Sequence, residues 1–158
     1  MDECKRTLQI PNLHPKMTQG AQSMIDKNFL KKRMQDVEQA MKNLERITSK
    51  PYEELSLDEK FSMRYQVIVL AEAVGSICLH IAIEDFGYRA ESYGDCLKYL
   101  GERKLIRCVE DLTAIMRMRN LLVHRYWLAD DSIIYTSVRK NFGCVSEFLR
   151  VVGERYGI

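Results

Sequence analysis

At 158 residues the chain is long enough for one domain with a proper core. Hydrophobic residues make up 46% and charged residues 29%, the range of ordinary soluble globular proteins. A formal net charge of +2 excludes a global nucleic-acid signal.

The charge is unevenly spread. Arg103, Lys104, Arg107, Arg117, Arg119 and Arg125 face only Glu110 and Asp111 over that stretch, a local excess of four positive charges. A solvated helix face and a nucleic-acid contact both fit it. The five cysteines, Cys4, Cys78, Cys96, Cys108 and Cys144, are odd in number and contain no C-x-x-C pair. A reduced cytoplasmic chain fits, without a zinc site or disulfide framework. Cys78, Cys108 and Cys144 read as small core residues in apolar helices. The N-terminus lacks the apolar segment of a secretory signal.

In chain order, residues 1–20 hold Pro11, Pro15 and Gly20 without a period and read as a flexible extension. Residues 21–158 read as the folded domain. Helix 1 is expected from Ser23 to Thr48, with Leu30, Met34, Val37, Met41 and Leu44 as its apolar stripe. Pro51 marks the break. Ser56 and Glu59 form a capping box that opens helix 2, which Gly87 closes. The run Val67–Ile83 is the nearest approach to a membrane span. It is short and carries Glu72 and His80, so a central bundle helix, with no membrane partner, is the better reading.

A turn follows, then a short helix over Asp95–Leu100 stopped by Gly101. Helix 4 is expected from Lys104 to Trp127 or Leu128, and helix 5 carries Ile134, Val138, Phe142, Val145, Leu149 and Val152. No strand pattern and no long-period repeat is present. The fold class is all-α: an antiparallel helical bundle of four long helices plus a short one.

Helix 4 ends on Arg119-Asn120-Leu121-Leu122-Val123-His124-Arg125-Tyr126, an R-x4-H-x-Y pattern. A permanent cation, a group that titrates near neutrality and a phenol together suit phosphodiester chemistry. On a wheel with Leu105 at zero, Arg119 falls near 320° and Tyr126 near 300°, on one flank of the apolar stripe. Asn120 near 60°, His124 near 100° and Arg117 near 120° take the other flank. Arg119 and His124 thus sit about 140° apart on an ideal helix. A compact site from both requires a distorted last turn or a groove that wraps the helix end, as at a dimer interface. The same residues also admit a purely structural reading, with Arg119 paired to a helix 2 carboxylate such as Glu72 and His124 packed near the helix end. His14 and His80 are set aside, and no carboxylate pair, phosphate-cradling glycine loop or H-E-x-x-H is present.

Residues 25–155 resemble the HEPN superfamily, and closely its HepT-like toxins encoded beside a minimal nucleotidyltransferase antitoxin. The resemblance rests on the helix pattern, Ser92-Tyr93 before the short helix, the Asn120–His124 core, Tyr126-Trp127 and Ile133-Ile134-Tyr135. It implies a homodimeric, metal-independent endoribonuclease with no cofactor. By motif position, Arg119 would hold the scissile phosphate, His124 would act as general base or acid, and Asn120 would support the site. Tyr126 would receive AMP from the antitoxin. Arg117 and Arg125 are assigned only to RNA-backbone contact, from the wheel and the local charge. The alternative is a non-catalytic HEPN binding module that pairs with a nucleotidyltransferase.

Overall fold

The computed structural model describes residues 24–158. The extension expected over residues 1–20 lies outside them. Among the described residues there are six α-helices and no strand: α1 Lys27–Thr48, α2 Leu57–Phe86, α3 Tyr93–Glu102, α4 Val109–His124, α5 Asp131–Asn141 and α6 Gly143–Tyr156.

Helix α1 starts at Lys27 because Asp26 caps it, its carboxylate accepting from the Phe29 backbone N–H at 3.0 Å. Of its expected stripe, Leu30, Val37 and Leu44 are buried, and Met34 and Met41 are partly buried against the core. Helix α2 opens on the Ser56–Glu59 capping box and ends at Gly87, whose φ of +66° suits a residue without a Cβ. Its buried residues run nearly all round, and it packs against α1, α3, α4 and α5. This helix is long and apolar enough to cross a membrane, yet more than half of its most apolar window is buried within the bundle.

Contacts at the two ends set the directions. The Asp26 backbone N–H donates to Nε2 of His80 at 2.9 Å, so the start of α1 meets the end of α2. At the other end Lys50 donates to Glu59 at 2.6 Å. The two helices are therefore antiparallel. Arg119 of α4 meets Glu72, and the later Asp131 meets the earlier Arg64, so the chain runs back down α2.

Four details depart from the sequence expectation. Helix α3 runs through Gly101 to Glu102. Gly101 is a close approach, because an added Cβ would collide with the Val109 side chain. The chain turns instead at Lys104, held at φ +61°, with the Leu105 N–H reaching the Leu100 carbonyl at 3.1 Å. Helix 4 is shorter at both ends, since Leu105 and Ile106 are buried as turn residues. Arg125 leaves the helix at φ −141°, and Tyr126–Leu128 form a 3-10 turn. The expected helix 5 is two helices, broken at Phe142 and Gly143, although Ile134, Val138, Phe142, Val145, Leu149 and Val152 all face the core. Finally, Cys108 and Cys144 are not separate core residues, and the expectation of a chain without a disulfide does not hold for this pair. They meet sulfur to sulfur as a disulfide, Cα atoms 6.2 Å apart, joining the N-cap of α4 to the first turn of α6. Cys78 is buried as expected, and desolvation pushes its thiol pKa up.

Candidate active site

Helix α4 carries Arg119 toward α2. An unpaired guanidinium there would be costly, and the structure supplies its partner. Arg119 Nε donates to Glu72 Oε1 at 2.6 Å, and Nη2 is ion-paired with the same oxygen. Glu72 is the one carboxylate between Val67 and Ile83. Its second oxygen, Oε2, accepts from the Tyr93 hydroxyl at 2.8 Å. On the other side, Arg119 Nη1 donates to Asn120 Oδ1 at 2.7 Å.

Tyr93 belongs to the first turn of α3, which Ser92 caps by accepting from the Asp95 N–H. The ring lies against Gly75 of α2, where an added Cβ would fall 2.6 Å from Tyr93 Cε1. Gly75 therefore makes room for Tyr93, Tyr93 reaches Glu72, and Glu72 holds Arg119. The guanidinium also sits 5.7 Å from the Tyr93 ring centroid. Desolvation first, and then the bond to Glu72, raise the Tyr93 pKa, so the phenol stays a donor.

A cleft of about 660 Å³ opens beside this chain of contacts, lined among others by Ser92, Tyr93, Thr113, Arg117, Arg119 and Asn120. Arg117 is exposed on its rim. The structure thus brings Arg117, Arg119 and Asn120 to one cleft.

His124, Arg125 and Tyr126 are not among the residues that line it. His124 is the exposed last residue of α4 and Arg125 the exposed junction after it. Tyr126 is 62% exposed and packs edge-on against Trp127, itself 67% exposed. The distorted helix end expected for a compact site is present, but within one chain it leaves the histidine in the open.

That end also carries exposed apolar side chains. Val123, Leu128 and Ile133 are exposed beside Tyr126 and Trp127. On α2, Leu57, Phe61 and Tyr65 are exposed at helical spacing. A bidentate pair, Arg64 to Asp131 at 2.6 and 2.9 Å, ties the α2 segment to the start of α5. Among the described residues no three His, Cys, Asp or Glu side chains converge as metal ligands.

Sequence reasoning reached Glu72 only as a structural partner and missed the roles of Tyr93 and Gly75. Glu72 had a readable signal, a lone carboxylate in an apolar run. Gly75 had none, since a glycine does not mark a site by itself, and Tyr93 entered only through the Ser92-Tyr93 pair of the family resemblance, with no role attached.

A family model described as "Ribonuclease HepT-like" matches residues 35–152, a span that contains the whole motif as well as Glu72 and Tyr93. The chain belongs to the HepT-like family. No curated protein sequence matches it. Among solved structures, this HepT-like chain is similar to one in a toxin–antitoxin MntA–HpeT crystal structure, at 18% identity and TM-score 0.72, covering 80% of this chain and 98% of that one. It is similar to the tri-AMPylated Shewanella oneidensis HEPN toxin in complex with MNT antitoxin, at 16% identity and TM-score 0.74, covering 82% and 99%. A cytosolic protein of unknown function from Bacillus subtilis, YutE, gives 15% identity and TM-score 0.74, covering 85% and 92%. At such identities the likeness is one of fold, and it places the HepT-like chain in the HEPN architecture.

Proposed function

We propose that this HepT-like chain is the toxin of a toxin–antitoxin pair, a cytoplasmic endoribonuclease that works as a homodimer. The observation that carries the reading is the complete R-x4-H-x-Y motif at the end of α4, with Arg119 and Asn120 in the cleft and His124 and Tyr126 exposed at the same helix end. Family membership supports the same reading.

In the reaction, a ribose 2′-hydroxyl attacks the adjacent phosphorus and the 5′-oxygen leaves, giving a cyclic phosphate and a 5′-hydroxyl end. Arg119 binds the phosphate and offsets the charge that develops on its oxygens. His124 takes or returns the proton as general base or acid. Asn120 orients the guanidinium. Arg117 and Arg125 contact the RNA backbone. No metal is required, because the nucleophile is the substrate's own hydroxyl.

Because His124 lies outside the cleft of its own chain, a second copy is the natural way to enclose it. The exposed residues Phe61, Tyr65, Trp127 and Leu128 supply apolar surface for that contact. Tyr126 is accessible to a partner enzyme. Its hydroxyl would attack the α-phosphorus of ATP held by a minimal nucleotidyltransferase antitoxin, releasing pyrophosphate and leaving AMP on the toxin. That bulky anion would repel RNA and block the helix end. The Shewanella neighbour, described as tri-AMPylated, supports this route.

One observation favours a second reading, a non-catalytic HEPN module that holds a nucleotidyltransferase. Arg119 already has two internal partners, Glu72 and Asn120. Expression in cells separates the two. The toxin reading predicts growth arrest that Arg119→Ala and His124→Ala abolish while the protein still folds. It also predicts AMP mass increments on co-expression with the nucleotidyltransferase that vanish in Tyr126→Phe. Growth arrest of equal strength from both folded variants, or none from the parent, would favour the module.

A further inference from the structure

We propose that Glu72 and Tyr93 are positioning residues for the motif arginine, setting both its orientation and its effective charge toward RNA. The proposal rests on the ribonuclease reading for its kinetic arm, but its binding arm stands without it.

A guanidinium has five N–H donors. Glu72 Oε1 takes the one on Nε and Asn120 takes one on Nη1, while Nη2 is ion-paired with the same Glu72 oxygen. At least one donor on each terminal nitrogen remains for a phosphate. The pair is not sealed off: the side chain of Arg119 is 23% exposed and that of Glu72 39%. Arg119 lines the open cleft beside it. The carboxylate therefore does two opposed things. It fixes the plane of the arginine, which favours a phosphate in one geometry. It also sets a negative charge next to the phosphate site, which weakens ground-state binding of any polyanion.

Tyr93 holds the carboxylate. Its hydroxyl donates to the oxygen that the arginine does not use, and Gly75 gives its ring room. A plain packing pair would not need this third group, since Glu72 and Arg119 already satisfy each other. The phenol restricts Glu72 to one rotamer, so that the guanidinium has one orientation in place of several.

The two roles predict opposite movements in binding and turnover, which a merely structural role does not. The probe is a labelled, mixed-sequence single-stranded oligoribonucleotide. Binding is measured in a His124→Ala background, where turnover is removed. There Glu72→Gln and Glu72→Ala are expected to bind about three- to tenfold more tightly than the parent. Their salt dependence should steepen by about 0.7 in the log–log slope, as one more cation becomes available to phosphate. With His124 intact, Glu72→Ala is expected to lose about tenfold or more in kcat while KM falls. Glu72→Gln, which keeps an acceptor for Nε, is expected to restore most of that loss. Tyr93→Phe leaves the charge unchanged, so KM should hold while kcat drops severalfold.

If the oligonucleotide binds the Glu72 variants as it binds the parent, with the same salt slope, the proposal is wrong. It is equally wrong if Glu72→Ala turns over at the parental kcat, or if kcat and affinity both fall in step with the melting temperature. Where the parent binds RNA but does not cut it, and the Glu72 variants still tighten and steepen, the ribonuclease reading fails and the positioning role stands. Where the parent cuts and Arg119→Ala does not, yet the Glu72 variants match the parent, the positioning role alone fails.

Discussion

Reducing the bond between Cys108 and Cys144, or replacing Cys108 with serine, should lower the melting temperature substantially. The pair closes a loop with a sequence separation of 36 and joins two elements distant in the chain, the N-cap of α4 and the start of α6. The chain-entropy relation gives about 3.8 kcal/mol at 25 °C for a loop of that length. The unfolding entropy of about 135 ordered residues is about 0.28 kcal/mol per kelvin, so full loss of the bond shifts Tm by about 13 °C. Thermal melts followed by circular dichroism, with and without reductant, read the effect. Intact mass should show the gain of two hydrogens on reduction. Cys108→Ser and Cys144→Ser should each melt near the reduced parent and ignore reductant. Cys78 and Cys96 are free and buried, so they should not contribute. A parent whose mass confirms reduction but whose Tm moves by less than about 2 °C would refute the argument that this bond restrains the unfolded chain.

Three further outcomes follow from the packing. Gly75→Ala should cost about 1–2 kcal/mol, because the new Cβ displaces the Tyr93 ring by more than the gain in helix propensity offsets. In a Tyr93→Ala background the same change should stabilise by up to about 1 kcal/mol, and equal effects in both backgrounds by denaturant titration would count against the contact. Lys104→Gly should stabilise by up to about 1 kcal/mol, since Lys104 sits at φ +61° where a Cβ is unfavourable; a lower denaturant midpoint would contradict it. The Lys50 hydrogen bond, then that from the Ser56 backbone, hold the Glu59 pKa below its usual 4.5. A depressed folded value means the contribution is present above the unfolded pKa and is lost as pH falls through the folded one. Glu59→Gln should therefore lower Tm at neutral pH and flatten its decline below about pH 4.5, a pattern that Tm against pH would show directly.

Where local chemistry decides the structure, the sequence is readable. Ser56 and Glu59 predict the start of α2, and Gly87 its end, because each acts through the backbone of its own neighbours. The stripe through Leu30, Val37 and Leu44 predicts the buried face of α1. The alternation through Phe142 and Val145 predicts burial correctly but hides the break between α5 and α6, since periodicity carries across it.

Gly101 misleads because its role is tertiary. It admits Val109, while Lys104 takes the positive φ that the turn needs. The Cys108–Cys144 pairing has no signal in spacing, because the fold brings together two residues that are far apart in the chain. The candidate site divides the same way. The motif on α4 is legible as a string, and a carboxylate partner for Arg119 is legible from the cost of leaving its guanidinium unpaired beside the apolar stripe. The buttress from Tyr93 through Gly75 depends on how α3 docks on α2, which no local pattern encodes.

The most direct test is cleavage of labelled single-stranded RNA by the purified, unmodified protein in the presence of a metal chelator, with the product ends identified. The account predicts cyclic phosphate and 5′-hydroxyl ends, with activity reduced at least about a hundredfold in folded Arg119→Ala and His124→Ala. No cleavage by the parent, or equal cleavage by either variant, would contradict it.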